Sequence, residues 1–373
     1  MSLGPSPDRP PRRTPSGLLG MLALVAAVEL IVGGRRLDFT TVWADDWRRA
    51  AFEATRARGR DVLCFGDSLV KFAVLPKKIE ARTGLKSYNL AVNAGTMPSA
   101  YFLLRRSLDS GARPRAIVAD FFALMRPDRP EESIRLYPDL ATPAECLDLA
   151  RTAGDHRFLA ATLLGKLLPS YKCRFEIRAS IKAAFEGRRA SPWPAQSAIW
   201  ATWKAQDGAQ PMPLAEGRAA PNPGLVADLS PPGWACDPIN AAYMEKFLDL
   251  ADSRGIPVFW LMPPLSPAVH ALRALNGTDD AYTRLAREAL GRHPRVTVLD
   301  ARRSGYDGWV YIDPVHLDER GAKVLTGDIA PIVADSLEGR GPAGRWVDLP
   351  PFAGRTGDEP ARDVARAGQA QIR

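Results

Sequence analysis

The chain has 373 residues, which is long enough to bury a substantial core without disulfides or metal ions to stabilise it. Hydrophobic residues make up 46% and charged residues 25%, an ordinary globular composition, and the net charge of +8 comes from arginines scattered among Asp and Glu. No basic run is interleaved with stacking aromatic residues, so we do not expect nucleic acid as a partner.

The N-terminal region combines a polar tail with one long apolar segment. Residues 1–16 are rich in Pro, Arg and Ser and predict a disordered tail. Residues 17–34 are almost uniformly apolar and just exceed the roughly 17-residue minimum for a membrane-spanning helix. A buried core helix is an alternative, favoured by Glu29, and a cleaved signal peptide is another, although no clear A-x-A site follows. We predict an uncleaved transmembrane anchor.

The charges that flank this segment bear on its orientation. Three arginines precede it and two follow it, so the positive-inside rule is nearly balanced: Arg9, Arg12, Arg13, Arg35 and Arg36. Because Arg9, Arg12 and Arg13 lie immediately before the apolar segment, we predict that the short N-terminal tail is cytoplasmic. A polar connector at 35–60 then leads to a domain outside the cytoplasm, in the periplasm or at the cell surface.

From residue 61 the chain alternates short apolar runs with amphipathic stretches. Five apolar runs separated by helical patterns predict an α/β domain at 61–340 with a parallel, doubly wound sheet. Such sheets bind ligands at the carboxyl ends of their strands, where the strand order reverses. The predicted strands are 61–65, 87–92, 116–122, 257–262 and 295–299, with helices at 76–82 and 99–110 among the connections.

An insertion at about 126–240 interrupts this alternation. Its first half has helical patterns, including a capping box that begins at Thr142. Its second half, 189–236, is rich in Pro, Gly and Trp and predicts a long ordered loop or lid, with packing against the insertion helices as the alternative for most of the Trp residues. Residues 341–373 are polar and rich in Pro and Gly, which predicts a flexible tail.

The cysteine and histidine residues provide no local metal site. The four cysteines contain no C-x-x-C pair, and the four histidines lie far apart along the chain. We therefore predict neither a metal nor a cofactor. Cys64 lies in an apolar run and is expected to be buried, and the sequence does not select a disulfide among the other three.

A serine follows the first predicted strand directly. Ser68 lies in the run Phe65-Gly66-Asp67-Ser68-Leu69, where a strand-to-helix turn would expose its hydroxyl at the carboxyl edge of the sheet. Alone, this run is also typical of a surface turn. The stretch from Ser68 to Lys71 also fits S-x-x-K, but neither S-D-N nor K-T-G accompanies it, and we predict that Lys71 is an exposed helix residue.

The partners that a nucleophilic serine needs occur together near the end of the domain. Asp313 and His316 are three residues apart, so one short loop can present both side chains on the same side. A serine hydroxyl needs an adjacent base, and an imidazole needs a carboxylate to select its tautomer. We predict Ser68 as nucleophile, His316 as base and Asp313 as the group that orients it.

These residues resemble a known family. FGDSL at 65–69 and DPVH at 313–316 are similar to the first and fifth blocks of GDSL/SGNH hydrolases, and NLAVNAG at 89–95 resembles the second. The resemblance implies a flavodoxin-like, five-stranded α/β fold that acts on ester-linked acyl groups. It also implies that the backbone N–H of Gly95 contributes to an oxyanion hole. The anchor adds a similarity to membrane-tethered SGNH-like proteins, among them periplasmic proteins that O-acetylate exopolysaccharides such as alginate.

The third block of the family departs from this pattern. The family has an oxyanion-binding asparagine after the third strand, whereas this chain reads Ala119-Asp120-Phe121-Phe122. Either Asn93 substitutes from the neighbouring loop, or the hole consists of the Ser68 and Gly95 amides alone. Loss of one such donor costs on the order of 3 kcal/mol in the transition state.

Three classes of function follow from these features. The first is a membrane-anchored serine ester hydrolase acting on an acyl group, with acetyl expected. The second is an O-acyltransferase acting on a cell-envelope polysaccharide, with the Trp-rich segment excluding water. The third is a non-catalytic SGNH-like binding module. The expected partners are an acylated small molecule or polysaccharide and the membrane, and the sequence predicts no oligomeric state.

Overall fold

The computed structural model of the chain describes residues 16–125, 134–188, 191–217, 222–342 and 344–352. At its centre lies a six-stranded parallel sheet with the strand order β2-β1-β3-β4-β5-β6, so that the order reverses between β1 and β3. The strands are β1 (Val62–Phe65), β2 (Ser87–Asn89), β3 (Ala116–Asp120), β4 (Val258–Met262), β5 (Val296–Asp300) and β6 (Trp346–Asp348).

Helices connect the strands and form a helical insertion after β3. The first part of the chain contains α1 (Ser16–Gly34), α2 (Arg36–Phe39), α3 (Val42–Ala54), α4 (Ser68–Ala73), α5 (Pro76–Thr83) and α6 (Met97–Asp109). The insertion contains α7 (Tyr137–Leu140), α8 (Pro143–Ala153), α9 (His156–Leu167), α10 (Pro169–Lys172), α11 (Arg174–Phe185), α12 (Trp193–Ala205) and α13 (Pro223–Asp228). The remaining helices are α14 (Pro238–Ser253), α15 (Pro267–Leu275), α16 (Thr278–Arg292) and α17 (Glu319–Leu337), with short 3₁₀ turns at Phe122–Met125 and Gly308–Val310.

The sheet is buried on both faces. In β1, Leu63 and Phe65 belong to one apolar core with residues of α3, α6 and α14, whereas Val62 and Cys64 belong to a second core with residues of α5 and α17. Successive side chains of a strand point to opposite faces, so this division places one helical layer on each side. Every residue of β1 is apolar because both faces of the strand pack against helices.

The five predicted strands are confirmed, and the sheet has one strand more than predicted. β6 lies in the segment that was predicted to be a flexible tail, and it pairs in parallel with β5. That prediction is wrong for 344–352, because backbone hydrogen bonds from Leu349 to Asp300 and from Phe352 to Ser304 hold the segment against the sheet. Residues 353–373 lie outside the described residues.

The insertion is more helical than predicted. The capping box at the start of α8 is confirmed, with Thr142 and Glu145 each bonding the other's backbone N–H. The segment predicted as a long loop contains α12 and α13, and Trp203 of α12 is buried. Trp203 is therefore a buried helix residue, and its indole N–H donates to Gln210 Oε1 at 2.8 Å within the same segment.

The apolar N-terminal segment forms α1, one residue longer than predicted. Only 6% of its most apolar 18-residue window is buried, and its large side chains are mainly exposed. A core helix of a soluble protein would be mostly buried, so that alternative is not supported. By length and composition, α1 is suited to span a membrane or to serve as a signal anchor. The predicted disordered tail lies almost wholly outside the described residues, which begin at Ser16.

Candidate active site

Ser68 lies on a tight turn between β1 and α4. Gly66 has a φ of 141°, and a Cβ atom there would come within 2.6 Å of Asp120 Oδ2, so both conformation and space require glycine. Asp67 caps α4, since its Oδ1 accepts a hydrogen bond from the Leu69 N–H at 2.8 Å. Ser68 is the first residue of the helix, and its own backbone N–H therefore has no acceptor within the helix.

His316 is presented by a short, closed loop between β5 and α17. Tyr311 and Leu317 form an antiparallel bridge, and the Ile312 N–H donates to the His316 carbonyl at 3.0 Å. Asp313 stabilises the loop from within, because its Oδ1 accepts the backbone N–H groups of Val315 and His316, both at 2.9 Å. The three-residue spacing thus places the second carboxylate oxygen beside the imidazole.

Ser68, His316 and Asp313 form a hydrogen-bonded chain. Ser68 Oγ lies 2.7 Å from His316 Nε2, and His316 Nδ1 lies 2.6 Å from Asp313 Oδ2. An ionised carboxylate only accepts hydrogen bonds, so Nδ1 carries the proton and Nε2 is left to accept the serine hydroxyl. The ring of Phe72 packs against the imidazole with 4.9 Å between the ring centroids and limits its movement. This is the geometry of a serine nucleophile with its general base.

The carboxylate of Asp313 is held in its ionised form. Partial burial acts to raise its pKa, but the hydrogen bond from His316 and the charge of the imidazolium outweigh burial, and the pKa of Asp313 lies below its ordinary value. The two backbone N–H donors act in the same direction. Asp313 can therefore stabilise the imidazolium that would form when His316 accepts the serine proton.

Gly95 packs directly against the nucleophile turn. A Cβ atom at Gly95 would lie 2.6 Å from the Gly66 carbonyl oxygen and 3.1 Å from Asp67 Cα, so only glycine permits this approach. The Gly95 N–H donates to the Val92 carbonyl at 3.0 Å and closes the turn, with Ala94 at a φ of 52° between them. The predicted oxyanion role of the Gly95 amide would require this N–H to turn toward the substrate, and it stays a prediction.

Asn93 is held by a different element. Its backbone N–H and its side-chain Nδ2 donate to Asp46 Oδ2 at 2.7 and 2.9 Å, while the indole of Trp47 donates to its carbonyl at 2.8 Å. The buried Asn93 amide is thus engaged by α3, and this geometry does not support a direct role as the substitute oxyanion donor. Instead, Asn93 fixes the position of the loop that carries Gly95.

The same contact involves Lys71, which was predicted to be exposed. That prediction is wrong: the Lys71 side chain is only 3% exposed, and its Nζ lies 2.8 Å from Oδ1 of Asp46, whose side chain is 1% exposed. The ammonium group also lies 4.6 Å from the ring centroid of Trp203. The two carboxylate oxygens of Asp46 therefore connect the helix of the nucleophile with the loop of Gly95. The sequence signal for this role is weak, because Asp46 lies in an amphipathic helix that contains several other charged residues.

Asp120 is the last residue of β3 and lies in the segment that was compared with the third block of GDSL/SGNH hydrolases. Its side chain is buried beneath the nucleophile turn, where Oδ2 accepts the Val70 N–H and Oδ1 accepts the Phe122 N–H, both at 3.2 Å. Burial, reinforced by the charge of Asp67, raises the pKa of Asp120 well above its ordinary value, although backbone N–H donors oppose the shift. Protonated, Asp120 carries one O–H donor, while its two oxygens still accept these backbone N–H groups.

A second histidine also contacts carboxylates, but in a different arrangement. His293 lies 2.7 Å from Asp252 through Nδ1 and 3.2 Å from Glu245 through Nε2, so neither ring nitrogen is left for a nucleophile. This buried residue contributes to the packing of α14 against the end of α16. The predicted triad is thus distinguished by an Nε2 atom that faces a hydroxyl.

The remaining observations concern metals and known proteins. Within the described ranges, no group of three or more His, Cys, Asp or Glu side chains is arranged to hold a metal ion. The cysteines within these ranges are free thiols. No protein-family model matches the chain, and no curated protein matches it.

Proposed function

We propose that this protein is a membrane-anchored serine hydrolase of the SGNH/GDSL type that cleaves an acyl ester, with acetyl as the expected acyl group. The observation that carries the proposal is the chain of contacts from Ser68 Oγ to His316 Nε2 and from His316 Nδ1 to Asp313 Oδ2, at 2.7 and 2.6 Å. The order of the first five strands is also that of flavodoxin-like sheets, whose ligands bind at the strand ends where these residues lie.

The chemistry follows from the positions of these groups. Ser68 Oγ attacks the ester carbonyl while its proton passes to His316 Nε2, and Asp313 stabilises the resulting imidazolium. The backbone N–H of Ser68 faces the developing oxyanion, with the Gly95 amide as the proposed second donor. The imidazolium then returns the proton to the departing alcohol, and water releases the acyl group from Ser68 by the reverse sequence.

The test is turnover of a chromogenic acetyl ester by the full-length protein in nanodiscs. Ser68→Ala should reduce hydrolysis to background, and a serine-directed phosphonate should label the unsubstituted protein at Ser68 alone. Ser253→Ala is the matched control, because Ser253 lies at the exposed end of α14 and only caps its own helix. Full activity in Ser68→Ala would refute the assignment. Binding of an acylated polysaccharide without turnover or labelling would instead identify a binding module.

The base is tested by a second matched pair. His316→Ala should lower the rate by about 10²–10⁴-fold, the usual contribution of general acid–base catalysis. His270→Ala should leave the rate unchanged, because this partly exposed side chain lies 3.5 Å from Asp279 and contacts neither Ser68 nor Asp313. Equal effects of the two substitutions would contradict the role of His316.

Acyl transfer to a saccharide is the second candidate, and one observation favours it. Trp309 lies on the loop that also carries Asp313, and 49% of its surface is exposed. An exposed indole that precedes the loop of Asp313 and His316 is suited to stack against a sugar ring. If adding an unacetylated polysaccharide increases the rate at which the acetyl ester is consumed, and Trp309→Ala removes only that increase, the protein is a transferase. No response to any acceptor supports the hydrolase.

The placement of the domain is part of the same proposal. With α1 as an uncleaved anchor and a cytoplasmic N-terminus, the serine site lies outside the cytoplasm, where acylated envelope polymers occur. The full-length protein should then remain with membranes after a carbonate wash, and protease added to intact spheroplasts should digest the domain. A soluble full-length protein would contradict the predicted anchor. A domain protected from protease would show that it lies on the cytoplasmic side.

A further inference from the structure

The C-terminal part of α1 is fixed to the insertion. The Glu29 carboxylate accepts hydrogen bonds from the backbone N–H and the hydroxyl of Ser170 in α10, the former at 2.9 Å. Just beyond α1, Arg36 lies 2.6 Å from Asp139, which also pairs with Lys172 of α10 at 2.7 Å. The acid that is costly within an apolar helix thus has its partner on the insertion.

This contact places α10 at a definite level along α1. The 19 residues of α1 extend over about 28 Å at a rise of 1.5 Å per residue, close to the roughly 30 Å hydrocarbon thickness of a bilayer. Glu29 precedes the last residue of α1, Gly34, by five positions, or about 7.5 Å along the axis. If α1 spans the membrane, α10 therefore lies at the depth of about 5–10 Å at which interfacial helices bury their apolar faces.

The helices on either side of α10 expose large apolar side chains. Leu167 of α9 is 76% exposed and Phe185 of α11 is 90% exposed. Leu164 lies one turn before Leu167, and Ile181 lies one turn before Phe185, so each pair shares a helix face. We refer to Leu164, Leu167, Phe175, Ile181 and Phe185, all exposed, as the apolar insertion face.

The charge of this region matches an anionic surface. Residues 156–188 contain seven Lys and Arg residues and two Glu residues, a net charge of +5. Basic residues alternate with the apolar face along α11, where Arg174, Arg178 and Lys182 lie between or beside its members. Apolar side chains combined with Lys and Arg are typical of helices that lie in the plane of an anionic membrane.

We propose that α9, α10 and α11 lie in the headgroup region of an anionic bilayer, with the apolar insertion face immersed beside α1. This inference rests on the proposed role of α1 as an anchor and adds a second membrane contact to it. The bilayer is the occupant that the structure favours over a second protein, because Glu29 and Ser170 join this face to the segment of the chain suited to lie in lipid. The domain is then held at a set height and orientation above the membrane.

The test is collision accessibility of nitroxide labels on the full-length protein in vesicles of phosphatidylcholine with phosphatidylglycerol. Separate labels are attached at Leu167→Cys, Phe185→Cys and Leu24→Cys in α1, with Leu275→Cys as matched control. Leu275 is 81% exposed on α15, outside the insertion. The unsubstituted protein measures background labelling of the native cysteines. The ratio of oxygen to nickel-chelate collisions reports lipid against water at each position.

The labels at 167 and 185 should give the high ratio of the label at 24, while the label at 275 gives the low ratio of water. Low ratios at 167 and 185 with a high ratio at 24 would overturn the insertion face and leave the anchor standing. Low ratios at all four positions would overturn both. Protection of 167 and 185 from both reagents would mean that protein covers the face. In vesicles of phosphatidylcholine alone, the ratios at 167 and 185 should fall, and unchanged ratios would overturn the anionic preference.

Discussion

Removal of the buried charge of Asp46 should destabilise the protein and disturb the active site together. In Asp46→Asn, the remaining oxygen can still accept hydrogen bonds from Asn93, but the ammonium group of Lys71 loses its carboxylate. Breaking one partner out of a buried ion pair costs about 3–5 kcal/mol, because the other charge stays buried without compensation. For a domain of this size we expect the unfolding temperature to fall by on the order of 10 °C.

The matched comparison is the double variant Asp46→Asn/Lys71→Met. It removes both charges and keeps an apolar side chain under the ring of Trp203, so it should unfold at a higher temperature than Asp46→Asn alone. The assay is thermal unfolding of the full-length protein in nanodiscs, followed by circular dichroism. An unfolding temperature of Asp46→Asn equal to that of the unsubstituted protein, or a double variant less stable than Asp46→Asn, would refute this reasoning.

The remaining predictions concern the turn and the triad. Asp120→Asn should gain stability relative to the unsubstituted protein as the pH rises from 3 to 7: with its pKa raised in the folded state, Asp120 contributes stability below its unfolded pKa that is lost as pH rises toward the folded value. A stability difference between the two proteins that is equal at both pH values would contradict the raised pKa. Asp313→Asn should lower the rate of ester hydrolysis while leaving the fold intact, because the side-chain amide no longer selects the required tautomer. In the unsubstituted protein the pKa of Asp313 is lowered by folding, so the stability that its carboxylate contributes is lost only as pH falls below 3.8. Acid unfolding of Asp313→Asn should therefore be less steep in that range, and identical acid limbs would contradict the ion pair. Gly66→Ala should abolish hydrolysis and labelling by phosphonate, since the added Cβ would meet Asp120 at 2.6 Å, whereas Gly59→Ala, with open space around it, should lose only stability.

Features that depend on residues close together along the chain could be predicted from the amino-acid sequence. Apolar runs of strand length separated by amphipathic helices predicted the first five strands, because a strand buried on both faces must be apolar at every position. The loop of Asp313 and His316 was also predictable, since a spacing of three residues brings both side chains together within one turn of chain.

Contacts between residues far apart along the chain could not be predicted, because they depend on the three-dimensional fold. Ser68 and His316 are 248 positions apart, and a sheet edge brings them to 2.7 Å. No local sequence feature distinguishes Lys71 from an exposed basic residue, because its burial depends on Asp46 of another helix. β6 has three residues in a Pro- and Gly-rich stretch, too few for a sequence pattern, and it forms because the edge of β5 offers unpaired backbone groups. Glu29 likewise acquires its partner from Ser170, 141 residues away, because burial of a polar group is favourable only where folding supplies the hydrogen bond.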